Sequence, residues 1–219
     1  MSAPTIETIV IADPPETWAA AGFAVEDDGS CRVGSVRIHL AGPEAGKRIV
    51  SWTLRDIPPA TTSIDGLPTE AGITDSSSEA PPVHDNGVEV IDHLVILSPD
   101  VDRTIAALGA VGVEARRSRA VDSEQYGFEA RQTFFRMGEV ILELIGPNEP
   151  MDDAADRQAG FFGLAYTVRD LDATAALLAD HIGRVKDAVQ PGRKITTLRH
   201  KNLGMSVATA FMSPGAGSI

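Results

Sequence analysis

The chain repeats one pattern of strands and helices, and that recurrence limits its fold more than any other feature. A β-branched run, a helix opened by Asp or Pro, and further strands closing on an apolar run and Gly/Ser-Pro recur along its 219 residues. A unit that recurs at this length is one supersecondary module, which buries its apolar face against its neighbours. The clearest copy spans Val88 to Pro147. Its first run, Val88 to Leu97, is bounded by Gly87 and Ser98-Pro99 and reads as a strand. Ser98, Pro99 and Asp100 form a helix start. Val101, Ile105 and Leu108 follow at spacings of four and three, which is one helical face, and Gly109 and Gly112 end it. Val113–Ala115, Arg131–Met137 and Val140–Ile145 read as the remaining strands, with Gly138 turning the last pair.

Another copy runs over 160–214. Its first strand is Gly163–Val168, Asp170 can cap its helix, and Ile195–His200 and Met205–Met212 close it. A shorter copy begins at Thr5–Ile11, has a brief helix at Asp13-Pro14 carrying Trp18, and continues through Phe23–Val25, Cys31–Val33 and Val36–Leu40. Its end, Val36–Pro43, aligns with Val140–Pro147, which sets His39 where Glu143 stands. Arg48–Ile57 resembles Phe162–Leu171 and reads as the remnant of a fourth copy, cut short by Pro58-Pro59. Residues 63–87, rich in Ser, Pro, Gly, Asp and Thr, read as a linker. The expected division is therefore 1–62 as a degenerate module with a remnant strand, 63–87 as linker, and 88–219 as paired modules at 88–147 and 160–214.

Composition removes several functional classes. A net charge of −12 repels a phosphate backbone or an anionic bilayer, so nucleic acid and membranes are not expected partners. No run approaches the ~18 apolar residues of a membrane helix, and Met1 to Thr5 shows no secretory signal, so a cytoplasmic location is expected. A single cysteine, Cys31, allows neither an internal disulfide nor a Cys-rich zinc site. No GxGxxG, P-loop, GxSxG or HExxH pattern is present.

Asp92-His93-Leu94-Val95-Ile96, then Ser98-Pro99-Asp100-Val101-Asp102, then Gly138-Glu139-Val140-Ile141-Leu142-Glu143-Leu144-Ile145-Gly146-Pro147 together resemble the vicinal oxygen chelate superfamily of glyoxalases, bleomycin-resistance proteins and extradiol dioxygenases. The resemblance implies an α+β fold: repeated βαβββ modules forming a half-open barrel of mixed sheet, with helices on the outer face and a small molecule inside. It also implies metal ligands on the first and last strands of paired modules, with open positions on the ion. His93 and Glu143 fall at those positions. Gly163 (or its neighbour Leu164) and Ala210 fall there in the next module, and Thr8 and His39 in the first. One imidazole and one carboxylate suit Fe(II), Mn(II), Zn or Ni(II), and His200 is the candidate third ligand.

Two functions follow from that resemblance. One is a glyoxalase-like enzyme using a weakly bound divalent metal for isomerase, lyase or dioxygenase chemistry, with Glu143 as the catalytic base. The other is a metal-free drug- or metabolite-binding protein of the bleomycin-resistance type, without cofactor. Arg131, Gln132, Phe134 and Tyr166 are expected to line the ligand site. Phe134 and Phe135 are adjacent on one strand, so only one of them can face a ligand. His84 and His181 read as surface residues and Trp52 as a core anchor. Pairing of modules between chains would give a homodimer and pairing within the chain a monomer; the expectation leans to the dimer.

Overall fold

The computed structural model describes residues 3–72, 81–121 and 129–215. Among these, each copy is built on the same ladder. In the third copy, β7 (Val88–Leu97) lies parallel to β10 (Val140–Pro147), β10 antiparallel to β9 (Ala130–Met137), and β9 antiparallel to β8 (Ala115–Val121). The fourth copy repeats this with β11 (Gly160–Val168), β14 (Ala208–Met212), β13 (Lys194–Thr197) and β12 (Lys186–Asp187). In the first copy, β1 (Thr5–Ile11) lies parallel to β3 (Val36–Leu40), which pairs with β2 (Ser30–Val33). In the second, β4 (Ile49–Arg55) lies parallel to β6 (Leu67–Ala71), which pairs with β5 (Ser63–Ile64). A parallel first and last strand requires a crossover connection. Three copies fill it with a helix: α1 (Pro15–Ala20), α2 (Val101–Ala110) and α3 (Leu171–Leu178). The second copy, opened by Pro58-Pro59, has none.

The strands form two open mixed sheets, ordered β2-β3-β1-β4-β6-β5 and β12-β13-β14-β11-β7-β10-β9-β8. The architecture is α+β, as the resemblance implied. Three local expectations are corrected. Residues 63–71, taken as the start of a linker, hold β5 and β6, because Ile64 and Leu67 are apolar enough to be buried; residues 73–80 of that expected linker lie outside the described residues. Phe23–Val25 belongs to no strand; Phe23 instead packs on Trp18. The cap of α2 is Asp100, whose carboxylate accepts the Arg103 N–H at 3.0 Å, while Ser98 closes a small turn on Asp100.

Two compact units result, and they do not follow the division at 62/63 and 87/88. One is drawn from Met1–Glu7, Ser51–Ser76 and His93–Phe162, the other from Thr8–Val50, Ser77–Asp92 and Gly163–Ile219. In the first unit Trp52 is fully buried, sets its ring edge-on to Phe161, and donates its indole N–H to Thr69 Oγ1 at 2.8 Å. The core face of its third-copy strands carries Leu94, Ile96, Leu142, Leu144 and Phe135, all nearly inaccessible, with α2 packed on β10. Burying each such side chain contributes ~1.5–3 kcal/mol, which fixes the sheet's register. In the second unit Trp18, Phe23, Tyr166 and Phe211 form one aromatic cluster. His84, expected at the surface, is buried there. Its Nδ1 accepts the Ala24 N–H at 2.9 Å, so the proton sits on Nε2, 3.1 Å from the Arg32 carbonyl.

Candidate functional site

With the core face of the third copy defined, strand alternation assigns the other face. Leu142 and Leu144 point into the core, so Glu143 between them points away. Phe135 is buried, so Phe134 turns to the side of Glu143, its direct partner across β9–β10. His93 precedes buried Leu94, and its Nε2 stands 3.5 Å from Glu143 Oε2. Both side chains are about one-eighth exposed, 15% and 12%. Ile91 and Leu94 are both fully buried three residues apart, so both faces of β7 are covered there.

The remaining expected site residues divide. Gln132 is two residues from Phe134, on the same face, and accepts a hydrogen bond from Arg119 Nε at 2.7 Å. Arg131 takes the opposite face, where its guanidinium pairs with Asp102 on α2, so it does not join the others. Tyr166 lies in the other unit, fully buried between Phe23 and Phe211. Burial raises its hydroxyl's pKa well above the ordinary value, and the ring is a core element, not a ligand wall. His200, placed on a strand by its pattern, opens the 3-10 turn His200–Leu203 in that other unit. His39, at the Glu143 position of the first copy, points to solvent. Sequence reading missed Arg117 and Arg119, whose guanidinium carbons stand 4.8 and 5.5 Å from the centre of the Phe134 ring.

Strand register tests the ligand positions copy by copy. His93 pairs with Ile141, two residues before Glu143. In the fourth copy Gly163 pairs with Ala208, two before Ala210; in the first, Thr8 pairs with Arg37, two before His39. Gly163 and Ala210 are therefore the true counterparts of His93 and Glu143, and neither offers a donor. Nor can Gly163 regain one cheaply, because a Cβ there would stand 2.3 Å from the Ala208 carbonyl oxygen. Among the described residues no group of three His, Cys, Asp or Glu side chains is placed to hold a metal ion. Two ligand bonds of ~2.1 Å at a tetrahedral angle put their ligand atoms about 3.4 Å apart, so the His93–Glu143 pair fits neighbouring positions on a weakly held ion, not a closed metal site.

An imidazole–carboxylate pair thus lies on one sheet face of a repeated module whose first and last strands run parallel. Residues 92–197 match the family model described as Glyoxalase/Bleomycin resistance protein/Dioxygenase superfamily. The fold is shared with a xylose isomerase-like TIM barrel/4-hydroxyphenylpyruvate dioxygenase fusion protein (15% identity, TM-score 0.63), where the match takes in all of this chain and 50% of that one. It is shared also with a mutant of 4-hydroxymandelate synthase from Streptomyces coelicolor (12% identity, TM-score 0.62, 98% of this chain and 94% of that one). Methylmalonyl-CoA epimerase from Mycobacterium tuberculosis matches 59% of this chain and 90% of its own, at 19% identity and a TM-score of 0.45. No curated protein matches the chain. Among the described residues no helix is long and apolar enough to cross a membrane.

Proposed function

We propose that the third copy is the working module of a small-molecule enzyme, with Glu143 as the base that moves a proton at a carbon beside a carbonyl. The observation that carries this reading is the His93–Glu143 pair at 3.5 Å on the face turned away from the core. The carboxylate takes the proton, the carbon's electron pair moves onto the carbonyl oxygen, and return of the proton to a different position completes an isomerisation. His93, beside the carboxylate, orients it. A divalent ion of the kinds the sequence suggests, Fe(II), Mn(II), Zn or Ni(II), would be held by His93 and Glu143 and would polarise substrate oxygens.

The test is deuterium incorporation at the α-carbons of small 2-oxo acids and acyl thioesters in D2O, followed by NMR. At least one substrate should exchange faster with the protein present, and E143Q should slow that exchange by ~10²–10⁴-fold. Equal exchange by wild type and E143Q removes Glu143 from the role. The absence of donors at Gly163 and Ala210 favours a second reading, a metal-free binding protein. Elemental analysis of chelator-free protein distinguishes the two: tight ligand binding without stoichiometric metal and without exchange supports the binder.

A further inference from the structure

We infer that Arg117 and Arg119 form an oxyanion-recognition site beside the His93–Glu143 pair, and that the molecule handled there carries a carboxylate or phosphate. The location of the reacting carbon rests on the reading of Glu143 given above; the charge of the ligand does not.

The first support is register. Arg117 pairs with Phe134 and Phe134 with Glu143, while Arg119 pairs with Gln132 in the adjoining row. Both arginines reach that face through an irregularity of the ladder between Ala115 and Arg117. Ala115 pairs with Phe135, so an unbroken ladder would set Arg116 opposite Phe134 and turn Arg117 and Arg119 to the core face. The extra residue re-aims both guanidinium groups.

The second support is charge. The chain has a net charge of −12, and its arginines commonly find carboxylates: Arg37 with Asp28, Arg55 with Glu7, Arg103 with Asp65, Arg169 with Glu89. Among the described residues Arg117 and Arg119 have no such partner. Instead two like charges gather over one phenyl ring, with Arg119 Nε tied to Gln132. The ring and the amide hold the planar groups in place, and among the described residues their remaining N–H donors meet no carboxylate. A guanidinium fork matches the two oxygens of a carboxylate or phosphate. Residues directly opposite across a sheet stand ~5 Å apart, so an anion held over Phe134 lies within a few bonds of a carbon at Glu143.

β8 is the last strand of its sheet, and charged side chains on an edge strand also deter pairing with other chains. Lysine serves that purpose equally, whereas the fork does not survive the change. Benzoate, phenyl phosphate and neutral benzamide are therefore titrated into wild type, R117K/R119K and R117Q/R119Q, following the arginine Nε–Hε signals by NMR and the affinity by calorimetry. Benzoate or phenyl phosphate should shift both signals in wild type, and the tighter of the two identifies the group. Benzamide and both double variants should bind at least about tenfold more weakly, with unchanged thermal melts. Equal binding of benzamide, or full affinity in the lysine variant, overturns the proposal. Lost anion binding with deuterium exchange retained sinks this inference alone; anion binding without exchange on any substrate sinks the catalytic reading alone.

Discussion

The third and fourth copies share one ladder and put it to opposite uses. In the third, His93 and Glu143 occupy the two diagnostic positions, and Arg117 and Arg119 lean on Phe134 without a carboxylate partner among the described residues. In the fourth, Gly163 and Ala210 occupy those positions, and its Arg193 is spent on structural bonds. Arg193 binds Asp92 at 2.7 Å, Thr167 Oγ1 at 3.0 Å and the Ser213 carbonyl at 2.8 Å. Thr167, next to core-facing Tyr166, also donates to Asp92 at 2.9 Å. The same backbone thus gathers an imidazole, a carboxylate and two cations on one face in one copy and spends its cation on structure in the other. The ladder sets where a side chain points; residue identity and partners decide whether it is available.

That contrast can be broken experimentally. The largest effect on stability is expected from R193M, which leaves the Asp92 carboxylate, 9% exposed, without its arginine. Removing one member of a buried pair costs ~3–5 kcal/mol, to be read as a lower urea midpoint. R117Q should leave the unfolding free energy within ~0.5 kcal/mol of wild type, as an exposed substitution; an equal loss in both variants would erase the distinction between the copies. G163A should cost ~1–3 kcal/mol through overpacking against Ala208. If it is tolerated, the fourth copy could accept a donor after all, and Gly163 would be no steric commitment.

A smaller, pH-dependent effect is expected from His84, whose pKa burial lowers from its usual value. The neutral ring's contribution is then fully present above the unfolded value of about 6.5 and is lost as pH falls through the lower folded value, since only the unfolded chain takes up the proton readily. Urea midpoints at decreasing pH should fall more steeply for wild type than for H84Q. Cys31, buried and with its thiol pushed up to about 12, should react with a thiol reagent only in denaturant.

The repeat, the helix cap at Asp170, and the opposed directions of Phe134 and Phe135 are consequences of local rules, and they are visible in the residues themselves. Gly163 and Ala210 could also be matched to His93 and Glu143 by aligning the copies, because register within a module follows from its alternating apolar positions. Other features were not visible. Polar composition suggested a linker over 63–87, yet Ile64, Leu67 and His84 are buried. Arg131 looked like a neighbour of Gln132 in a site, yet strand alternation sends it to Asp102. Tyr166 looked like a ligand contact until Phe23, from a distant loop, packed against it.

What the sequence alone determined is the module: strand order, helix positions and the placing of one imidazole and one carboxylate at matching ends of two strands, since each depends on residues close along the chain. What only the tertiary structure decided is which charges remain available. The irregularity at Arg116 turns Arg117 and Arg119 to the face of Glu143, and Asp92 and Thr167 capture Arg193. Both outcomes depend on pairing between segments far apart in sequence, where a shift of one residue reverses a side chain's face and a single carboxylate satisfies or abandons a cation.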